Sequence, residues 1–373
     1  MTGWKSTCAN EAANGLIALL HRKDWSESAH GTSIRDAVLA LLDHEDDTTR
    51  MLAAPALPAL TPAALKDQLR ARLTTEDSPA VRGQLVQLLL TQPAHDIDEL
   101  LADMSRSGIW PALTADPEPA EHDPDDDADI DDFIVRLLIE LDLRHQQPFA
   151  HGLLDSWTIA PLDHSQRVSR ACILLRNYLN APPPAASRAF ALLKATLPDL
   201  TMAWRAASRI APESSDEDRV RARANTAVKL AESLARELHL ASGGLAHGDA
   251  GPQPASDAFA AHSFPLLEDL AAISHPTVVH EAVQTLAHMR LHDPRRVILA
   301  IASAATPSHE YQWEGLAADV IVSVVDVYAA EHRNLLVADP ECLTALRRLL
   351  EGFVRAGWEQ AIERALAIDE LLR

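Results

Sequence analysis

Apolar residues return every three to four positions through most of the chain, the spacing of one face of an α-helix. In SIRDAVLALLDH the residues Ile34, Val38, Leu39, Leu41 and Leu42 gather on one side. A polar step, HEDDTTR, follows, then an apolar helix, MLAAPALPAL, that Pro55 and Pro58 break. TPAALKDQLRARL predicts a helix with Thr61 as N-cap and Pro62 in its first position. EDSPAVRGQLVQLL predicts another, with Ser78 as cap and Pro79 first. Near the C-terminus, Leu346, Leu349, Leu350, Phe353 and Val354 form one stripe, and Ala361, Ala365, Ile368 and Leu372 a second. Gly357 separates them, so an αα-hairpin is expected there.

The helices recur in register. Arg50 falls over Arg82 at an offset of 32 residues, Glu45 over Asp77, and Leu52 next to the position of Leu85. SHPTVVHEAVQTLAHM puts Val279 and His280 where Val81 and Arg82 sit, and DHSQRVSRACILLRN, around Arg170, is a looser copy. On Asp77, Pro79, Val81, Arg82, Leu85 and Leu88, and on Pro276, Val279, Ala282, Val283 and Leu286, the chain resembles the HEAT-repeat family of armadillo-like α-solenoids. That resemblance implies an all-α HEAT/ARM-like α-α superhelix with acidic and Gly/Pro-rich loop insertions. It also implies that Val81 packs between repeats while Arg82 reaches an acidic residue of an adjacent turn; His280 departs from the pattern. The physical reason is that one helix pair cannot bury its own apolar face, so neighbours stack and share a core.

Three segments interrupt the array. Ala115–Asp132 holds ten acidic residues, three Pro and no Lys or Arg, and should be largely extended and solvated. Ala211–Asp218 reads as a turn in which Ser214 or Ser215 caps the next helix. Ala241–His262, rich in Gly, Pro and Ser, reads as a flexible linker. The expected order is N-terminal repeats over 1–113, an acidic linker over 114–131, middle repeats over 132–240, a flexible linker over 241–262, and C-terminal repeats with a cap over 263–373.

Composition agrees with helix: Ala and Leu dominate and aromatics are 4%. Cys8, Cys172 and Cys342 are odd in number and far apart, which excludes a disulfide-stapled module and suits a reducing compartment. The N-terminus does not read as a signal peptide, and Asp319 and Asp326 interrupt the most apolar stretch, so a cytoplasmic protein is expected. The net charge of −21 makes nucleic acid a poor partner, because phosphate binding needs a basic face.

Chemistry-bearing motifs fail one by one. Asp123, Asp125, Asp127, Asp129 and Asp131 have the spacing of a calcium loop, but Ala128 stands where Gly is required and Ile134 where a bidentate carboxylate is required. A start at Glu121 brings Asp132 to the last position and puts Asp126 in the Gly place. His280-Glu281 and His309-Glu310 lack the second His of a zinc helix, and no CxxC occurs. Without a Gly-Lys pair there is no phosphate loop, and there is no GxSxG elbow. Cys172 and Cys342 lie on apolar patterns and read as core residues. No catalytic residue, metal or cofactor is expected. Arg219, Arg221 and Arg223 follow a block of acids and read as a solvated face with local ion pairs.

Tyr311, Trp313 and Trp358 either pack the terminal cap or anchor a partner. On Glu314, Leu316, Ala317, Ala318, Asp319, Asp339, Pro340, Gly357 and Trp358 the C-terminal region resembles the helical tail of large bacterial signalling or defence NTPases. These readings point to a non-catalytic scaffold for protein–protein interaction, with basic partners steered to an acidic surface and no membrane or nucleic acid involved. The oligomeric state stays open. One alternative is the sensor or regulatory part of an NTPase system; a DNA-acting HEAT-like enzyme is another, and the charge disfavours it.

Overall fold

The computed structural model describes residues 8–20, 22, 30–59, 62–76, 78–89, 124–210, 216–244 and 254–371. Every regular element among them is helical. Thr61, Asp77, Ser214, Ser215 and Leu372, assigned roles above, lie outside these residues, as does the acidic run before Pro124. Contacts divide the chain into two units, 1–145 and 146–373.

The first unit holds α1 (Cys8–Leu20), α2 (Gly31–Leu41), α3 (Asp47–Ala53), α4 (Pro62–Thr75), α5 (Pro79–Leu89) and α6 (Pro124–Leu143). Pro55 and Pro58 convert the end of α3 into a 3-10 turn, Ala54–Ala59, since neither can donate the next α-helical bond. α1 packs on α2 and α3, α3 on α5, and α5 on both α4 and α6. Residues 124–131 of the acidic run, expected to be extended, form the first turns of α6. Pro124 suits the first helical position, and acidic residues are favoured in the first turns of a helix by its positive end.

The 32-residue offset is visible in atoms. Asp46 caps α3, accepting from the Thr49 N–H (2.9 Å) and hydroxyl (2.7 Å), and Ser78 occupies the matching place before α5. The hydroxyl and amide of Thr49 hold the Asp46 carboxyl below its usual range. Arg50 Nη1 donates to the carbonyl of His44 at 2.7 Å, and Arg82 Nε donates to the carbonyl of Glu76. Donors and acceptors are thus both 32 residues apart.

The second unit is two rows of helices. One row is α7 (Pro148–Ile159), α9 (Ala185–Ala207), α11 (Asp257–Ala271), α13 (Pro294–Ala305) and α17 (Pro340–Arg355). The other is α8 (Ser165–Leu175), α10 (Glu217–Ala241), α12 (Pro276–His288), α15 (Gly315–Glu331) and α18 (Glu359–Leu371). Two short helices lie in the connections, α14 (His309–Gln312) and α16 (Arg333–Ala338). Each helix packs on the next of its own row: α7 on α9, α9 on α11, α11 on α13, α13 on α17, and likewise α8 through α18. Cross-row packing then ties the pairs together, as α9 with α10, α11 with α12 and α17 with α18. This is the α-solenoid arrangement that the HEAT resemblance implies.

The family positions behave as a shared core. Val279, Ala282, Val283 and Leu286 are fully buried, and so are Thr49 and Val81, which occupy the place of Val279 in the earlier copies. Cys172 and Cys342 are buried as well. Helix starts follow their local signals. Ser256, Asp293 and Asp339 accept from N–H groups of the first turns of α11, α13 and α17. α11 therefore begins inside the segment expected to be a flexible linker, and its residues 257–262 are helical. At Gly357 (φ +85°) the N–H bonds the carbonyl of Val354, and the Trp358 N–H bonds that of Phe353, closing α17 as a Schellman turn.

Candidate interaction surface

A helix leaves its last carbonyls without partners. In the second unit, side chains of neighbouring helices answer part of that need. The turns within pairs form one edge of the two rows. There the Ser308 hydroxyl donates to the carbonyl of Ser274 at 2.8 Å, and Trp358 Nε1 to that of Gln312 at 2.7 Å. Gln312 Nε2 donates in turn to the carbonyls of Ala305 (3.2 Å) and Thr306 (2.9 Å). Arg223 of α10 bonds Asp163 at 2.9 Å and Asp199 at 3.2 Å, and Trp204 meets His275 edge-on with ring centres 5.6 Å apart. The turns between pairs form the opposite edge. Tyr328 donates to the carbonyl of Pro294 at 2.7 Å, Asn180 to that of Ala241 at 2.8 Å, and His288 Nε2 to that of Ser242 at 3.1 Å.

The sequence-predicted residues fall out differently from one another. Among the described residues Arg50 makes an ion pair between repeats: its Nε and Nη2 lie 3.2 and 3.0 Å from the Glu76 carboxylate, and Arg72 makes a second one, to Asp43 at 2.9 Å. Burial works against the Arg50 charge, but bonding to Glu76 outweighs it and its pKa is raised. Arg82 binds a backbone carbonyl of its own preceding turn, and the turn that would follow α5 is outside the described residues. His280 is half-buried on α12 with its ring 6.1 Å from that of Tyr311, and burial, partly opposed by Glu314, lowers its pKa. The carbonyl six residues before it, which Arg reaches in the earlier copies, belongs to Ser274 and is taken by Ser308.

The three aromatic candidates separate. Tyr311 is fully buried, edge-on to Phe353 at 6.0 Å, and is core rather than an anchor. Trp358 is partly buried and bound to Gln312. Trp313 is 67% exposed. Ile159 and Met202, also largely exposed, lie toward the C-terminal ends of α7 and α9, on the same within-pair edge, and sequence reasoning missed both. Their signal was available only as apolar residues out of phase with the buried stripe.

Two grooves add little chemistry. One of about 510 Å³ lies between α17 and α18 over Leu350, Val354, Ala365 and Ile368, with Arg347 and Arg355 at its margin. Another of about 620 Å³ lies between α13 and α17, where Glu341 binds Arg295 rather than a hydroxyl. Among the described residues no group of three His, Cys, Asp or Glu is placed to hold a metal, and no helix is long and apolar enough to cross a membrane. The Arg219–Arg223 cluster is tied to acids: Arg219 to Asp216, Arg221 to Glu217, and Arg223 as above.

The paired rows make the second unit an α-solenoid of stacked helix pairs. No family model matches it. No curated protein matches it significantly. The solved structure titled "Crystal structure of Kap121p" is similar over 99% of this chain at 12% identity and a TM-score of 0.34. The chain spans 43% of that structure's length.

Proposed function

We propose that this protein is a non-catalytic scaffold that binds another protein along the within-pair edge of its second unit, with Trp313 as the main anchor. The observation that carries the reading is the contrast at one corner. Trp358 is bonded and packed, whereas Trp313, next to the carbonyl that Trp358 holds, leaves most of its indole in water. An exposed indole on a braced turn loses little conformational entropy on binding, and such residues dominate binding energy at interfaces. The net charge of −21 favours basic partners through steering. The test is affinity capture with the full chain and with Trp313→Ala, identifying partners by mass spectrometry. The reading expects a partner that Trp313→Ala loses; turnover of a substrate by the pure protein, with no partner captured, would sink it. A captured NTPase would make the scaffold a sensor or regulatory module.

A further inference from the structure

We infer that the Trp313 corner takes a cationic side chain, a lysine or arginine on a basic segment of the partner protein. This rests on the scaffold reading above and specifies the chemistry at one point of it. The face of an indole is electron-rich and attracts cations, tryptophan most strongly among the aromatic residues. Among the described residues no side chain stacks on Trp313, although Arg167 lies over Trp157 and Arg296 over Phe264 elsewhere in the unit.

Three carboxylates belong to the same corner. Glu310 is on α14, and Glu314 stands at the N-cap of α15 without its side chain capping the helix. Glu359 opens α18, and the bond from Trp358 to Gln312 pins that helix start to the 312–315 turn. All three are exposed, and among the described residues none makes an ion pair. The arginines nearest Glu359 in sequence are committed: Arg355 donates to the carbonyl of Glu351 at 3.2 Å, and Arg364 binds Asp326 through two bonds of 2.7 and 3.1 Å. A second copy of the chain is a poor occupant, since two molecules of −21 repel.

The probe is a labelled Gly/Ser peptide carrying spaced Arg residues, titrated against the full chain by fluorescence anisotropy, with a Glu-substituted peptide as control. The Arg peptide binds and the Glu peptide does not. Trp313→Ala weakens binding about two- to fivefold, and Trp313→Phe recovers part of the loss. Changing Glu310, Glu314 and Glu359 together to Gln weakens binding and flattens its salt dependence. Because Trp313 is mostly solvated, the Trp313 variants should keep the wild-type circular dichroism and melting curve. Unchanged peptide affinity in Trp313→Ala overturns the docking point while leaving a basic partner standing. No binding of the Arg peptide to the wild type removes the basic-partner reading and the docking point with it. A dimer in sedimentation that Trp313→Ala dissociates assigns the corner to a second copy instead.

Discussion

Removing Arg50 tests the connection between the first helix repeats most directly. Its guanidinium joins Glu76 through two bonds and also serves the carbonyls of His44 (2.7 Å) and Glu45 (3.0 Å). The Arg50 side chain is 15% exposed and that of Glu76 8%. Arg50→Ala therefore strands a nearly buried carboxylate, which among the described residues keeps only the Ser78 N–H at 2.9 Å. A fully buried pair broken from one side costs about 3–5 kcal/mol, and the residual exposure here lowers that to about 2–4 kcal/mol. Arg82→Ala removes a single bond to a carbonyl and should cost only about 0.5–1.5 kcal/mol. Hydrogen exchange by mass spectrometry on the intact chain reads both, because local opening reports local stability. In Arg50→Ala, peptides covering the 42–50 and 76–82 turns should exchange more than about tenfold faster than in wild type. Arg50→Ala with Glu76→Ala should show strong coupling in a double-mutant cycle. Exchange within about twofold of wild type in Arg50→Ala, or an effect of Arg82→Ala as large as that of Arg50→Ala, would refute the assignment of the repeat-to-repeat link to Arg50.

Three further outcomes follow from the second unit. His239 is buried, and Thr285, whose hydroxyl donates to the backbone carbonyl of Glu281, requires the His239 Nδ1 to carry the proton; burial first, then His288 and His280, lower the His239 pKa. Its folded pKa thus lies below the unfolded value of about 6.5, so its contribution is intact above that pH and is lost as pH falls below it. His239→Gln should flatten this part of the urea-midpoint profile, and a profile parallel to wild type would refute it. A methyl at Gly244 would stand 2.6 Å from the His239 ring, so Gly244→Ala should cost about 1–3 kcal/mol by thermal melting, and no loss would mean that the ring moves freely. Trp358→Phe deletes the donor to Gln312 and should cost about 1 kcal/mol, seen as faster exchange at the start of α18 and not in α7 or α9.

What the sequence revealed depended on the range of the interaction. Pro62, Pro79 and Pro276 start helices, and Gly357 ends one, because each acts on the backbone beside it. The 32-residue repeat was legible because the same local signals recur. The link from Arg50 to Glu76 was not legible, because an Arg signals a cation without saying which turn it reaches; the turn expected to receive Arg82 lies outside the described residues. Tyr311 and Trp313 looked alike as anchors: they straddle the end of a four-residue helix too short to show a period, and the structure buries one and exposes the other. The acidic run was read as self-repelling, yet its second half continues into the helix whose apolar face includes Val135, Leu138 and Leu141. Burying that face can offset the repulsion of the charges before it.

The side-chain bonds to turn carbonyls also explain why an anchor is found where it is. Stacking alone would leave the ends of each helix pair with unmet acceptors at every turn. Here Ser308, Gln312, Trp358, Asn180 and His288 fill such places, each reaching a turn close by in the stack. Those residues are consumed by holding the array together, so changing one loosens the pair it braces before it affects any partner. A binding residue must be one that the array does not use. At the corner where α14 meets α15 the distinction falls between two tryptophans: Trp358 donates its N–H and braces the turn, and Trp313, carried on the turn so braced, keeps its face for something else. Rigidity supplied by the first lets the second bind without ordering a loop.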